Sequence, residues 1–229
     1  MSHNLLGQRL GRKGQETRER ILRAALCLLG KPQQDAPITL SGVAREASVG
    51  MTTLYLYFPD LGALVLAALR RVMDSADDAF IDRLRGRWPD ERLEESCLDF
   101  LRAHYRFWRR HARILHMRNN FADEDDARFV EYRNRMSFPL IGLLARQMDG
   151  NPRAGVDGDP GSREQRAVFL ATVLLTGFER LATVITTTYF RETVQEQGVE
   201  DEAGHVDRML CAQARLIALG IRDIRATAD

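Results

Sequence analysis

Apolar residues recur at helical spacing along almost the whole of this chain, and nowhere do they alternate as a half-buried strand requires. Over residues 15–29, Ile21, Leu22, Ala25, Leu28 and Leu29 form one stripe, closed by Gly30 and the breaker Pro32. Val43, Ala44 and Ala47 then give a short apolar face opposite Arg45 and Glu46, with Thr39 placed to cap it. Ser48-Val49-Gly50 interrupts the pattern, and Leu54 and Phe58 resume it four residues apart. Two short helices joined by such a turn make a helix-turn-helix pattern, which with the first helix gives a three-helix head. The core of such a head is too small to be secure alone, so it is expected to lean on the helices after residue 59.

Beyond the head the pattern predicts one long helix over 60–85, capped by Asp60 and about 40 Å long. A helix over 91–111 comes after Trp88-Pro89, then a shorter segment through 121. The acidic cluster 123–126 opens a further helix that Pro139 is expected to kink. Residues 150–162 read as a loop by composition. Helices over 163–195 and 201–225 close the chain. The first of these is apolar nearly all round between Val168 and Ile185, so it needs cover on more than one side.

Charge changes this picture at one end. Residues 1–58 hold eight Lys or Arg against four Asp or Glu, and the remaining residues hold 25 against 28. A basic front on a slightly acidic body suits a protein that presents its N-terminal end to a polyanion. Residues 1–14 read as a flexible basic arm carrying Arg9, Arg12 and Lys13. Such an arm follows a phosphate backbone or enters a minor groove, or is a tail without a role. Cys27, Cys97 and Cys211 have no CxxC spacing and read as buried free thiols. The longest uncharged apolar run, 167–178, has 12 residues, short of the roughly 20 that span a bilayer. With no apolar signal region at the front, the expectation is a soluble, cytoplasmic protein without membrane contact.

The run Ala47-Ser48-Val49-Gly50-Met51-Thr52-Thr53-Leu54-Tyr55-Leu56-Tyr57-Phe58-Pro59-Asp60-Leu61 resembles the signature of the tetracycline-repressor family of transcription regulators. Thr53 to Phe58 matches the family's Thr-Leu-Tyr-x-Tyr-Phe fully. Four positions depart: Gly42 for a larger residue, Ser48 for the turn Gly, Gly50 for Ser, and Leu61 for a phosphate-binding Lys. The resemblance implies a ligand-responsive repressor that binds a near-palindromic duplex as a homodimer through its last two helices, with the long helix after the head as lever. It places DNA contacts on Thr39, Ser41, Met51, Thr52, Thr53, Tyr55 and Tyr57, beside Arg9, Arg12 and Lys13 of the arm. None of the recognition-helix groups has the bidentate grip of Arg on guanine. Leu54 and Phe58 read as core.

In the body, Thr172, Thr176, Glu179, Thr183 and Thr187 share one face of the most apolar helix. Their hydroxyls either bond back to carbonyls four residues earlier or line a cavity. Opposite, Phe100, His104, Phe107 and His111 make a face of aromatic and titratable groups, with Met117 and Phe121 placed to close one end. A largely apolar small-molecule effector is therefore expected at Phe100, His104, Phe107, Met117, Phe121, Thr176, Glu179 and Thr183. His104, His111 and His116 lack HExxH spacing or a Cys partner, so no metal or other cofactor is expected. Nor does any triad, phosphate loop or paired carboxylate point to an enzyme.

The expectation is an all-α protein: arm 1–14, DNA-binding head 15–59, and ligand-binding and dimerisation body 60–229. Its rival is a helical ligand-binding or interaction protein that keeps the head fold without binding an operator.

Overall fold

The structure, a computed structural model, describes residues 11–31, 37–148 and 161–226. Among them the chain is all-α, with no strand. In order the helices are α1 (Arg12–Gly30), α2 (Leu40–Glu46), α3 (Met51–Tyr57), α4 (Leu61–Met73), α5 (Ala76–Ala79) and α6 (Leu93–Arg110). Next come α7 (Ala112–Asp123), α8 (Ala127–Gln147), α9 (Arg163–Ile185), α10 (Thr188–Glu196) and α11 (Glu202–Ala226). Short 3-10 turns occupy Ile81–Leu84 and Asp90–Arg92. Two compact units result, each built from two stretches of chain: Met1–Asp74 with His111–Glu131, and Ser75–Arg110 with Tyr132–Asp229.

In the first unit α1 packs on α2 and α4, and α4 packs on α7. Ile21, Ala25, Val43, Leu54, Leu64, Leu69, Leu115 and Phe129 lie fully out of solvent there. α1, α2 and α3 share one compact unit with α4 and α7, and α4 and α7 pack with α1. Helix ends tie these elements together. Asp60 caps α4 by accepting from the Ala63 amide at 2.7 Å, and it also receives Arg128 Nη1 at 3.0 Å on both carboxylate oxygens. A Cβ at Gly62 would stand 2.6 Å from Arg128 Nη2, so glycine lets the guanidinium lie over the first turn of α4. Arg113 of α7 donates to the Leu28 carbonyl at 3.1 Å, meeting an orphan acceptor at the negative end of α1.

The long helix expected over 60–85 is not present. α4 stops at Met73, Ser75 leaves the helical region at φ −97 and ψ 2, and only the single turn α5 and a 3-10 turn come after it. Asp74, Ser75, Asp77 and Asp78 favour local side-chain bonding over helix interiors, and the apolar spacing alone does not register that cost. At 13 residues α4 is about 20 Å long.

In the second unit α6 and α11 form the most extensive pairing, and α9 and α10 pack against α11. Arg102 of α6 holds Asp207 of α11 in a bidentate pair at 2.7 and 2.6 Å. That guanidinium keeps the Asp207 carboxyl below its ordinary range. Buried Gln147 accepts from the Trp88 amide and donates to the carbonyls of Leu84 and Gly86, each at 2.8 Å, so its whole amide is used in fixing that loop. Arg225 adds bonds to the carbonyls of Gln147 and Trp88 and an ion pair with Asp90.

The helix expected over 163–195 is likewise two. α9 ends at Ile185, and Thr187 caps α10 by accepting from the Phe190 amide at 3.1 Å. Three successive threonines after Ile185 supply hydroxyls that serve caps better than helix interiors, and Thr187 Oγ1 also donates to Val184 O at 2.7 Å. By length and composition α9 is apolar enough to cross a bilayer, although its uncharged run is short, and 33% of its most apolar stretch is buried.

Candidate functional site

The head's candidate surface is built by α2, a turn over residues 47–50, and α3. Thr39 caps α2, accepting from the Gly42 amide at 3.1 Å, and its hydroxyl lies 3.1 Å from that of Ser41. This accounts for a small residue at 42, since a Cβ there would come 3.2 Å from the capping Thr39 oxygen. The turn passes through Ser48 at φ +51, the left-handed region where glycine costs least. Serine at this point stores about 1 kcal/mol of strain. Val49 N–H closes the turn on Ala44 O at 3.0 Å.

α3 then turns Leu54 and Phe58 inward, and both are buried as expected. Arg18 of α1 lies 5.1 Å from the centre of the Phe58 ring, fixing it from the other side. At 100° per residue the side opposite those two anchors carries Thr52, Thr53 and Leu56, flanked by Tyr55 and Tyr57, while Met51 lies toward the anchors' side at the start of the helix. Leu56 keeps 40% of its surface exposed, Tyr55 45% and Met51 36%. Thr39, Ser41 and Thr52 are exposed, while Thr53 and Tyr57 are half-buried. The expected contact residues of α3 therefore spread around the helix on the sides away from Leu54, and none of them is charged.

Leu56 was not among the residues expected to make contact. In the Tyr-Leu-Tyr run it is the variable position between two aromatics, and the signal that finds it is its place opposite both core anchors. Arg45, exposed at the end of α2, is the cation nearest in sequence.

The arm differs from expectation. α1 begins at Arg12, so Arg12 and Lys13 are helical and Gly11 is the cap. Arg12 Nε pairs with Glu16 at 3.0 Å, and Lys13 O accepts from Thr17 Oγ1 at 3.0 Å. Long straight side chains at 12, 13, 15 and 16 favour the helix enough to carry it through Gly14. Arg9 lies outside the described residues.

The expected effector site is not assembled. Phe100, His104 and Phe107 do share a face of α6, but that face is filled. The Phe80 ring sits 5.2 Å from Phe107 and 5.1 Å from His104, and Phe178 meets Phe100 at 5.4 Å and His104 at 4.9 Å, both edge-on. The inward residue of α9 is thus Phe178. Thr172 and Thr176 are exposed, and the hydroxyls of Thr172, Thr176 and Thr183 donate to carbonyls four residues back at 2.8, 2.9 and 2.8 Å. Glu179 and Thr183 are half-buried. Met117 and Phe121 belong to the first unit, where Phe121 stacks on Phe129 at 4.6 Å. Sequence spacing gives each face correctly but not what Phe80 and Phe178, distant in the chain, put against it.

A hollow of about 390 Å³ in the second unit is lined instead by Arg83, Trp88, Arg92, Glu95, Asp99 and Arg102, among others. Each of its guanidinium groups meets a carboxylate: Arg83 with Asp99, Arg92 with Glu95, Arg102 with Asp207. Of the three thiols only Cys97 is buried, and burial pushes it up to about 12. Cys27 is exposed because it lies off the Ile21–Ala25 stripe of α1, and Cys211 is half-buried near Asp207. Among the described residues no group of three or more His, Cys, Asp or Glu is placed to hold a metal ion.

Among the described residues a further exposed apolar surface is on α9 and α11. The two helices pack antiparallel, Gly220 against Leu170 and Gly177 against Gln213. Outward they present Phe169 and Val173, 60% and 67% exposed, beside Leu216 and Leu219, 58% and 51% exposed.

No protein-family model and no curated protein sequence matches the chain.

Proposed function

We propose that this chain is a DNA-binding transcription regulator of the tetracycline-repressor type, not an enzyme, which acts in the cytoplasm as a homodimer joined through α9 and α11. The observation that carries the reading is the α2–turn–α3 unit. Leu54 and Phe58 anchor α3 from within and leave its Thr52–Leu56 side facing outward, the placement that a reading helix in a major groove needs. The four large apolar side chains on the outer face of α9 and α11 support self-association, since a monomer would leave them in water. They also give the apolar composition of α9 a use that involves no bilayer.

The family resemblance further implies a repressor released by a small, largely apolar effector. Its site is not the Phe100–His104–Phe107 face, which Phe80 and Phe178 occupy.

One observation favours a second reading, an interaction protein that keeps the head without binding an operator. α3 carries no cation, and Arg12 is paired with Glu16. Selection of bound duplexes from a random pool by the full chain separates the two. A regulator enriches a near-palindromic sequence and sediments as a dimer at micromolar concentration. Failure to enrich any duplex, with a monomer in sedimentation, ends the regulator reading.

A further inference from the structure

The outward surface of α3 says what kind of base edge it can select, given the DNA-binding reading on which this inference rests. Three side-chain chemistries specify a base pair strongly in the major groove: Arg or Lys on guanine, Asn or Gln on adenine, Asp or Glu on cytosine. α3 has none of them anywhere along its length. It has two threonine hydroxyls, two phenols and, at the position opposite both core anchors, the isobutyl group of Leu56. An exposed leucine flanked around the helix by Thr52 and Thr53 gains nothing from water or phosphate. The one base-edge group in the major groove that it complements is the C5-methyl of thymine. The neighbouring group agrees: Thr52, one turn earlier on the same face, presents a methyl as readily as a hydroxyl.

We propose that α3 selects its duplex chiefly through thymine methyl groups, with Leu56 as the central contact and Thr52, one turn before it, beside it. The half-site beneath α3 is therefore rich in A·T pairs, and it is read by what thymine adds to the groove wall. Phosphate contacts from hydroxyls and amides set the position of the head and carry no part of this choice.

Replacing thymine with deoxyuridine tests the idea directly, because it removes one methyl and leaves pairing and phosphates unchanged. Using the full chain and the duplex enriched from the random pool, each thymine is replaced in turn and Kd is measured at one salt concentration. Loss of a buried methyl is expected to weaken binding about fourfold at the contacted steps and not elsewhere, with an unchanged salt slope. Leu56→Ala, at an exposed position and checked for intact helicity, should bind thymine and deoxyuridine duplexes alike at the step that Leu56 covers.

A duplex that is enriched but indifferent to every deoxyuridine overturns this inference and leaves the regulator reading standing. So does a half-site whose essential pairs are G·C. A pool that yields no duplex overturns both.

Discussion

α9 has an inner face that is wholly apolar and an outer face whose apolar side chains sit among Arg166, Thr172, Thr176 and Arg180, and the two have opposite fates. The inner face, Ala171, Leu174, Leu175, Phe178 and Ala182, is buried, and Phe178 closes the aromatic cluster around His104. The outer face, with Phe169 and Val173, is left open beside Leu216 and Leu219 of α11. The inner partners arrive from other stretches of the same chain, whereas nothing among the described residues covers the outer ones. One helix thus carries a face that makes the fold and an apolar strip that the described residues leave uncovered.

The sharpest way to break this contrast is on the inner side. Phe107→Ala removes a ring packed 5.2 Å from Phe80 and is expected to destabilise the chain by about 3–5 kcal/mol in denaturant unfolding. Retained stability would mean that the cluster is loose enough to admit a ligand. On the outer side, Val173→Asp with Leu216→Asp should leave helicity and monomer stability nearly intact while raising the dimer Kd at least about thirtyfold by sedimentation.

A smaller effect comes from the ion pair that ties α6 to α11. Asp207→Asn should cost up to about 1 kcal/mol at neutral pH, since the pair is partly solvated. Arg102 lowers the folded-state titration of this carboxyl, so its contribution is complete above the ordinary carboxylate range. It is lost as pH falls through the lower folded value. Denaturation of both proteins at pH 7 and in acid should show the difference closing in acid.

The smallest effect is expected for Thr176→Val, whose hydroxyl only bonds back to Thr172 O. A stability change under about 0.5 kcal/mol is anticipated.

The helices themselves were legible because each buries a stripe, and a stripe repeats at 3.6 residues. Two of the misread boundaries, at Met73 and Ile185, lie where Asp, Ser or Thr residues take over. There the helix competes with local side-chain bonds worth tenths of a kilocalorie, and tertiary packing decides. The candidate surface on α3 was legible down to its buried anchors, because Leu54 and Phe58 sit one turn apart. Leu56 was passed over because apolar residues are read as core by default. The aromatic face of α6 was also visible, yet periodicity carries no information about whether a face meets a cavity or another ring. Phe80 supplies the answer from the stretch just after the break that the apolar pattern had concealed.

The division of the first unit between two stretches of chain has a consequence for its birth on the ribosome. Residues through Asp74 emerge with α1 to α4 complete in sequence, but α7, which covers α4, is not yet made. At ordinary elongation rates the chain must grow for about 3 to 11 s before residue 131 is added. During that interval Leu69 and Val72 of α4 and the open end of the head core are available to any hydrophobic neighbour. A nascent chain stalled at about residue 110, long enough for α4 to have left the exit tunnel, should therefore engage a holdase chaperone, and one stalled well past residue 131 should have released it from this unit.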